Sequence, residues 1–437
     1  MTGASPTRDM TVVMTGNRIT GLGKSGRVRL PKRAQIIDGT DKFLLPGLWD
    51  MHAHIRETER SFPLFIANGV LGIRDMGGKP EDLFRWRDEV ARGALLGPRI
   101  VACGPIIDGP EPAAHGPTVS VRTADEGRKA VADLKRRGAD FVKVYDRLPR
   151  DAYFAIVEEA RKQGLPVAGH VPQSVTTMEA SDAGQRSIEH LGTILEGSSS
   201  VEAELRQAAA APLPADVSEF PRRIAARGER MLATYDEQKA KELFTHLVRN
   251  RTWQVPTLVV KRALTFIDDI VRDGDARLKY IPRSEQEWWS PQKNFLLRYR
   301  TPEYIAYSRK LFQASLELVG AMHRAGVPIL AGTDVISAYV FPGFSLHDEL
   351  SLLVQAGLPP MAALQAATRN PAMFLKETGS MGTIEHGKLA DLVLLDANPL
   401  EDIENIRRIH AVIVNGRYLS RESLQQLLAS AEASAGK

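Results

Sequence analysis

Short runs rich in β-branched residues alternate with helical patterns through most of this chain, and that alternation limits its fold more than any other feature. Eight strand candidates follow one another, at residues 48–54, 70–75, 99–107, 140–145, 166–171, 187–191, 252–260 and 328–334. Strands that alternate with helices build parallel sheets, because each crossover helix returns the chain to the same edge. We therefore predict an α/β protein built on a (β/α)8 TIM barrel, with a doubly wound open sheet as the alternative.

Both ends of the chain predict strands rather than further barrel units. Residues 11–22 have the pattern of a hairpin that turns at Gly16-Asn17, and residues 391–395 and 411–418 supply further short strands. We expect residues 1–46 and 377–437 to form a composite β-sandwich domain beside a barrel of residues 47–376. The barrel should carry a helical insertion around residues 196–250 and 262–320, because this long stretch needs to supply only one strand.

Composition excludes several classes of function. The 57 basic and 53 acidic residues leave a net charge of +4 that is spread along 437 residues, so no nucleic-acid partner is expected. The single cysteine, Cys103, excludes an intramolecular disulfide and a metal site built from cysteines. No apolar run is long enough for a membrane span, and the first ten residues lack the apolar core of an export signal. As written, the chain predicts a soluble protein with a small-molecule partner.

The sharpest local motif is LPGLWDMHAH, at residues 45–54. His52 and His54 are two residues apart, so on a strand both imidazoles face the same side and are able to hold one metal ion. Four more candidate ligands stand at the carboxyl ends of later predicted strands: Lys143, His170, His190 and Asp334. Barrel enzymes place their chemistry at that face, so the side chains should converge on one spot.

Taken together, these motifs resemble those of the metal-dependent amidohydrolase superfamily, in its imidazolonepropionase-like and prolidase-like branch. The resemblance covers nearly the whole chain, including GKLADLVLLD at residues 387–396, which is similar to the family's return into its sandwich domain. It implies one metal ion on His52 and His54 and a second on His170 and His190. It also implies that carboxylated Lys143 bridges the two ions, and that Asp334 binds the first ion and acts as the catalytic base.

The resemblance also implies a reaction class. It predicts two divalent ions, zinc first with Mn, Co or Fe as alternatives, and cleavage of a C–N amide or peptide bond by a metal-bridging hydroxide. The substrate would be a dipeptide or an N-acyl amino acid. Deamination is disfavoured because no Glu follows shortly after His170, and Lys143 favours a binuclear hydrolase over the single-metal imidazolonepropionase. Hydrolysis of a cyclic amide, an ester or a phosphotriester stays an alternative, as does a non-catalytic barrel used for binding or assembly.

A few further residues are candidates for substrate contacts. Tyr145 lies two residues beyond the predicted bridging lysine, so it faces the same side and is placed to hydrogen-bond the reacting carbonyl. His115 lies in a loop at the predicted active face, where it either binds substrate or is solvated. His347 either lines the pocket or caps a helix. Arg74 and Asp75 are expected to take part in an internal ion pair.

Aromatic residues are concentrated in the second half of the predicted insertion. Eight fall within 33 residues: Tyr280, Trp288, Trp289, Phe295, Tyr299, Tyr304, Tyr307 and Phe312. This segment joins the seventh and eighth predicted strands and so emerges at the active face. We expect it to roof the pocket and to favour apolar or aromatic substrates, with a subunit interface of a homo-oligomer as the alternative.

The amino-terminal hairpin has only two predicted strands. Members of the family that it resembles usually cover the exposed edge with a preceding strand, and none is evident before residue 11. We therefore expect the native coding sequence to begin upstream of Met1, with room for an export signal.

Overall fold

The computed structural model of the chain describes residues 1–437 apart from 2, 4, 5, 115, 211–215, 291, 292, 336 and 437. The strands are β1 Met10–Thr15, β2 Arg18–Lys24, β3 Phe43–Pro46, β4 Leu48–Ala53, β5 Val70–Asp75, β6 Arg99–Ala102, β7 Ile106–Asp108, β8 Thr118–Ser120, β9 Val142–Val144, β10 Val167–Gly169, β11 Ser187–Glu189, β12 Trp253–Val255, β13 Leu392–Leu395, β14 Ile409–Val414 and β15 Arg417–Leu419. The helices are α1 Ser61–Ala67, α2 Pro80–Ala91, α3 Ala124–Arg137, α4 Arg150–Gln163, α5 Thr177–Ala183, α6 Gly192–Gly197, α7 Glu202–Ala210, α8 Phe220–Ala233, α9 Glu237–Asn250, α10 Leu258–Thr265, α11 Ile267–Asp273, α12 Arg283–Trp288, α13 Phe295–Arg298, α14 Pro302–Arg324, α15 Phe344–Gln355, α16 Pro360–Ala366, α17 Arg369–Phe374 and α18 Arg421–Ala435.

The parallel strands close into a barrel. Strands β4, β5 and β6 pair in that order, and β7, β9, β10, β11 and β12 continue around the barrel, with β8 beside β7. Residues 329–335 complete the circle, because Ile329 bridges Gln254 of β12 and Val335 bridges Ala53 of β4, both in parallel. The predicted TIM barrel with a small sheet domain is confirmed.

The eighth barrel position differs from the predicted strand at residues 328–334. Within the described residues it makes isolated bridges instead of a continuous ladder. Its backbone nonetheless bonds to β4, since the Met51 N–H donates to the Ala331 carbonyl at 2.9 Å and the Asp334 N–H donates to the His52 carbonyl at 2.7 Å. The Thr333 N–H is shared between the His52 carbonyl at 3.2 Å and Oδ1 of Asp50 at 3.0 Å, and the same Oδ1 accepts the His52 N–H at 3.1 Å. A side chain therefore takes part in the pairing at this position.

Most of the other predicted strands are shorter in the structure, and two of them are divided or cut short for a reason that is visible in the sequence. The run at 99–107 is divided into β6 and β7, because Gly104 adopts φ 76° and Pro105 follows it. The run at 252–260 ends at Val255, since Pro256 lacks an N–H and Thr257 adopts φ 47°, after which helix α10 begins.

The helices begin where the local sequence offers a cap, and they pack on the barrel through apolar faces. Thr123 accepts the N–H of Glu126 at the start of α3, and Thr176 with Glu179 forms a capping box before α5. One continuous apolar cluster joins strand residues such as Val144 to helix residues such as Ile156. The core therefore lies between the barrel wall and its helices.

The two ends of the chain form the small sheet domain. Strands β15, β14, β13 and β3 pair antiparallel in that order, and the hairpin of β1 and β2 packs on them. Ile19 of β2 is fully buried against Leu392 and Ile413. The precise domain bounds at residues 46 and 376 stay a prediction.

Helices occupy both stretches of the predicted insertion. Helices α6 to α9 lie between β11 and β12, and α10 to α14 lie between β12 and residue 328. Among the residues that the structure describes, no helix has the length and apolar character that crossing a membrane requires.

Candidate metal centre

The six predicted ligands come together at the carboxyl ends of the barrel strands. They lie in β4 (His52), directly after β4 (His54), in β9 (Lys143), directly after β10 (His170), directly after β11 (His190) and in the eighth barrel position (Asp334). Parallel strands bring these ends to one face of the barrel. Residues spread over more than 280 positions of sequence are thereby brought around one space.

The first half of the centre consists of His52, His54 and Asp334. The Oδ1 atom of Asp334 lies 3.4 Å from Nε2 of His52 and 3.5 Å from Nε2 of His54. One ligand atom from each of the three residues lies within 4.8 Å of the other two. Gly332 permits this approach, because a Cβ at its position would lie 2.8 Å from the Cβ of His52.

The second half consists of His170 and His190, with Tyr145 beside them. The His170 and His190 ring centroids are 4.9 Å apart, and His190 lies 5.0 Å from His52, so the two halves adjoin. Tyr145 stacks on His170 with the ring centroids 3.9 Å apart. Lys143 is buried, and its Nζ lies 5.7 Å from the centre of the Tyr145 ring.

Each of the four histidines uses its Nδ1 atom for a hydrogen bond to protein. The partners are Glu189 Oε2 for His52 at 2.9 Å, the Gly77 carbonyl for His54 at 3.1 Å, Asp146 Oδ1 for His170 at 2.8 Å and Thr257 Oγ1 for His190 at 2.6 Å. A neutral imidazole that donates from Nδ1 keeps a free lone pair on Nε2. All four rings are therefore arranged to offer Nε2 as a ligand atom.

A buried ionic network holds the first of these rings. Glu189 binds His52 with one oxygen, while its other oxygen accepts from Arg74 at 2.8 Å and from Ser187 at 2.5 Å. The Arg74 guanidinium also donates to the Met51 carbonyl at 2.7 Å. Both charged side chains are fully buried, so their mutual pairing satisfies charges that water does not reach.

Three residues of the centre adopt a left-handed backbone that disfavours side chains with a Cβ. They are His190 at φ 64°, Asp334 at φ 59° and Thr257 at φ 47°. Such conformations cost free energy, and the surrounding structure must enforce them. Their concentration here is typical of a functional site.

Burial and neighbouring charges set the protonation of the centre. Burial lowers the pKa of His190 to about 4 and that of His52 well below its ordinary value, so both rings are neutral near pH 7. Burial also lowers the pKa of the Lys143 amine. Burial alone would raise the pKa of Asp334, but the hydrogen bond from His54 and the charge of the neighbouring histidines when they are protonated offset this and lower it.

The donor set fits divalent metal ions. Nε2 of His52 is buried and has no hydrogen-bond partner in the described part of the chain, a costly state unless a ligand binds there. Neutral imidazoles and an ionised carboxylate are ligands that zinc and its neighbours prefer. The four Nδ1 contacts are also of the kind that orients metal-binding histidines.

Three predictions about other residues have different outcomes. His347 does not belong to the centre, so its predicted contact with substrate is wrong: its Nε2 donates to the Asn68 carbonyl at 2.9 Å, at the opposite, amino-terminal end of β5. His115 lies outside the described residues. Arg74 does make an internal ion pair, but with Glu189, while Asp75 accepts the backbone N–H groups of Ile55 and Gly77.

Sequence reasoning missed the partners of the histidines. Glu189 precedes His190 on a buried strand, and a charge at such a position signals a buried partner. Asp146 directly follows Tyr145, but nothing in the sequence connects it with His170. Thr257 carries no signal, because a threonine after a strand most often caps a helix.

The amidohydrolase family profile matches residues 43–419. The chain belongs to the amidohydrolase family. An ochratoxinase from Aspergillus niger is 23% identical to it, in an alignment that covers 84% of this chain and 73% of the ochratoxinase. Among solved structures, a bottromycin amidohydrolase is 25% identical with a TM-score of 0.78, and the match covers 97% of this chain and 86% of that one. A Xaa-Pro dipeptidase shares the fold at 22% identity, with a TM-score of 0.66 and 94% of each chain covered.

This amidohydrolase is a hydrolytic enzyme, and its family acts on small molecules and generally uses metal ions. Its His52, His54 and Asp334 group is a possible metal site of that kind.

Proposed function

We propose that this amidohydrolase holds two divalent metal ions and hydrolyses the C–N bond of a dipeptide or an N-acyl amino acid. The observation that carries the proposal is the common arrangement of the four histidines, each of which uses Nδ1 for a hydrogen bond to protein, so that Nε2 is the atom available for a metal ion. In this proposal His52, His54 and Asp334 hold the first ion, and His170 with His190 holds the second. Zinc is the first choice, with manganese, cobalt or iron as alternatives.

Lys143 connects the two halves in this proposal. A lysine ammonium beside two cations would be repelled, so the residue needs a different chemical form to serve as a ligand. Addition of its neutral amine to carbon dioxide forms an N–C bond and releases one proton to solvent, and the resulting carbamate would offer two oxygens to the ions. Burial in β9 supports this form, because burial favours the neutral amine over the ammonium.

The residues of the chain then have distinct roles in hydrolysis. Two bound ions would supply the positive charge that acidifies the attacking water and polarises the scissile carbonyl. Asp334 has Oδ1 near the histidine Nε2 atoms and accepts the water proton, which it passes to the leaving nitrogen. The Tyr145 hydroxyl donates a hydrogen bond to the carbonyl oxygen, and burial raises its pKa so that it stays protonated.

The insertion supports an apolar or aromatic substrate. Trp289 packs on Tyr339 and Phe341 in the loop that follows Asp334, with ring centroids 5.4 and 5.9 Å apart. Glu285 of α12 pairs with Arg60, in the loop that follows His54, at 2.8 Å. This part of the insertion therefore lies against the loops of two ligand-bearing strands.

The structure gives less support for the other aromatic residues of the insertion as parts of a roof over the pocket. Tyr280 stacks on Phe344, and Phe312 packs on Phe266, so both contribute to packing between elements. The side chain of Phe295 is outside the described part of the structure. The predicted roof is thus supported around Trp289 rather than along the whole segment.

The similar proteins point toward amide substrates. They include an ochratoxinase, a bottromycin amidohydrolase and a Xaa-Pro dipeptidase. We therefore place dipeptides and N-acyl amino acids ahead of esters and phosphotriesters, which the same centre would accept chemically.

Metal analysis combined with a substrate panel tests the proposal. The purified chain should contain about two metal ions and should hydrolyse Xaa-Pro dipeptides or N-acyl aromatic amino acids faster than lactams, aryl esters or phosphotriesters. Faster turnover of a lactam or an ester would replace the proposed substrate class and leave the centre intact. A chain that binds no metal ion and cleaves none of these compounds would support a binding or assembly role instead.

A further inference from the structure

Thr257 stands in a position where a threonine ordinarily caps a helix, but its hydroxyl does not cap the helix that follows. It immediately precedes α10, and its side chain accepts no hydrogen bond from the backbone of that helix. The capping acceptor comes instead from α15, where Glu349 Oε2 accepts the N–H of Val259 at 2.7 Å. The Thr257 hydroxyl is thereby left free for other partners.

The freed hydroxyl has two partners, and they determine its direction. Oγ1 lies 2.8 Å from the carbonyl oxygen of Pro256 and 2.6 Å from Nδ1 of His190. A carbonyl oxygen only accepts, so the hydroxyl hydrogen goes to Pro256. Oγ1 then accepts from His190, which places the imidazole proton on Nδ1 and the free lone pair on Nε2.

The backbone at Thr257 is costly for a β-branched residue. Its φ of 47° lies in the left-handed region, where glycine and asparagine are the usual residues. A glycine here would turn the chain without strain but would bring no hydroxyl. The combination of a strained backbone with a hydroxyl aimed at His190 indicates a role beyond ending β12.

We propose that Thr257 is a positioning residue that holds His190 in the tautomer with its proton on Nδ1, so that Nε2 faces the metal centre. The inference rests on the proposed function, in which His190 is a ligand of the second ion. It makes the loop after β12 a part of the centre, although that loop supplies no ligand of its own.

The first test observes the tautomer in metal-free protein, which requires no bound ion. Long-range proton-nitrogen spectra of histidine-labelled protein at pH 8 should show His190 protonated on Nδ1, with the signal assigned by its loss in His190→Asn. Thr257→Ser should keep this signature, and Thr257→Val should lose it. A wild-type ring protonated on Nε2, or an unchanged tautomer in Thr257→Val, would overturn the inference.

The second test measures zinc affinity by competition with a chelator. Thr257→Val should weaken binding of the second zinc ion by about 10- to 100-fold, while Thr257→Ser should stay within about threefold of wild type. Thr252→Val is the matched control, because Thr252 at the other end of β12 also loses a buried hydroxyl contact, 2.8 Å to Ser181. Equal loss in both valine variants would show a general packing effect and overturn the inference.

Thr257→Gly separates positioning from structural support. It relieves the left-handed strain, so the metal-free variant should keep its melting temperature within a few degrees while losing zinc affinity as Thr257→Val does. If Thr257→Val fails to fold, Thr257→Gly is the variant to use in its place. Full zinc affinity in the glycine variant would contradict the inference. A wild-type chain that binds no zinc would instead contradict the proposed function, and the tautomer test would still decide the inference.

Discussion

The two halves of the centre offer similar ligand atoms but hold them by different means. In the first half, His52 is almost completely buried and is fixed by Glu189, which a buried Arg74 holds in turn. In the second half, His170 is fixed by Asp146, whose side chain is 34% exposed, and His190 by the uncharged Thr257. Buried charges are screened less by water and salt than exposed ones. The first half is therefore the more rigid support. Of the two proposed ions, we expect a chelator to remove the one on His170 and His190 before the one on His52 and His54.

Replacement of Lys143 should have the largest effect, because it would separate the two halves. Lys143→Ala should lower bound metal below the two ions per chain of the proposed centre and reduce turnover by roughly 10³-fold or more. Lys261→Ala provides a control, since Lys261 is a partly buried lysine whose amine lies 3.0 Å from the Ser315 hydroxyl, outside the centre. Full metal content and activity in Lys143→Ala would show that the lysine only fills the core.

Removal of Glu189 should weaken the first half. Glu189→Met leaves Arg74 buried without its carboxylate, so the free energy of unfolding should fall by about 3–5 kcal/mol. Affinity for the first zinc ion should fall by about 10- to 100-fold, because the His52 ring loses its support. Chemical denaturation and chelator competition measure the two effects separately.

A double variant distinguishes these two consequences. Arg74→Met combined with Glu189→Met removes both charges, so most of the lost stability should return while zinc affinity stays low. If affinity recovers together with stability, the network supports the fold of the barrel and does not orient His52.

Asp146→Asn should have a smaller effect in the second half. Asparagine keeps an oxygen that accepts from His170 at a similar distance, so the ring orientation survives and only the charge is lost. Because Asp146 is partly exposed, we expect affinity for the second ion to fall by no more than about tenfold. A loss as large as that of Glu189→Met would show that the two halves are held equally firmly.

The contrast between ligands and their partners also explains what the sequence predicts well. His52, His54 and Lys143 follow from local patterns, because strand alternation and strand ends place them at one face. Their partners are set by the closure of the barrel: His52 meets Glu189 across 137 residues, and His190 meets Thr257 across 67. The pairing at the eighth position also includes a tertiary side-chain contact, that of Asp50 with Thr333. No periodicity within a single strand contains that information.

His347 also shows what the sequence alone does not determine. It is as buried as His52, and both rings are neutral near pH 7, yet its Nε2 is bound to the Asn68 carbonyl whereas that of His52 is free. Burial and residue type are therefore not enough to identify a ligand. The deciding feature is which ring nitrogen the protein leaves without a partner.

Substitution of His347 should leave the centre unchanged and alter only acid stability. Burial, assisted by Arg407, lowers the pKa of His347 to about 4, below the ordinary histidine value near 6.5. The unfolded chain therefore binds a proton at a higher pH than the folded chain does, and stability is lost as pH falls from about 6.5 to about 4. His347→Gln should remove about 2 kcal/mol of that loss between pH 7.5 and pH 5, while metal content at pH 7.5 stays at the wild-type value. Unfolding measured at pH 7.5 and pH 5 tests this prediction, with His386→Gln at an exposed position as the control. A change in metal content in His347→Gln would show that His347 does belong to the site.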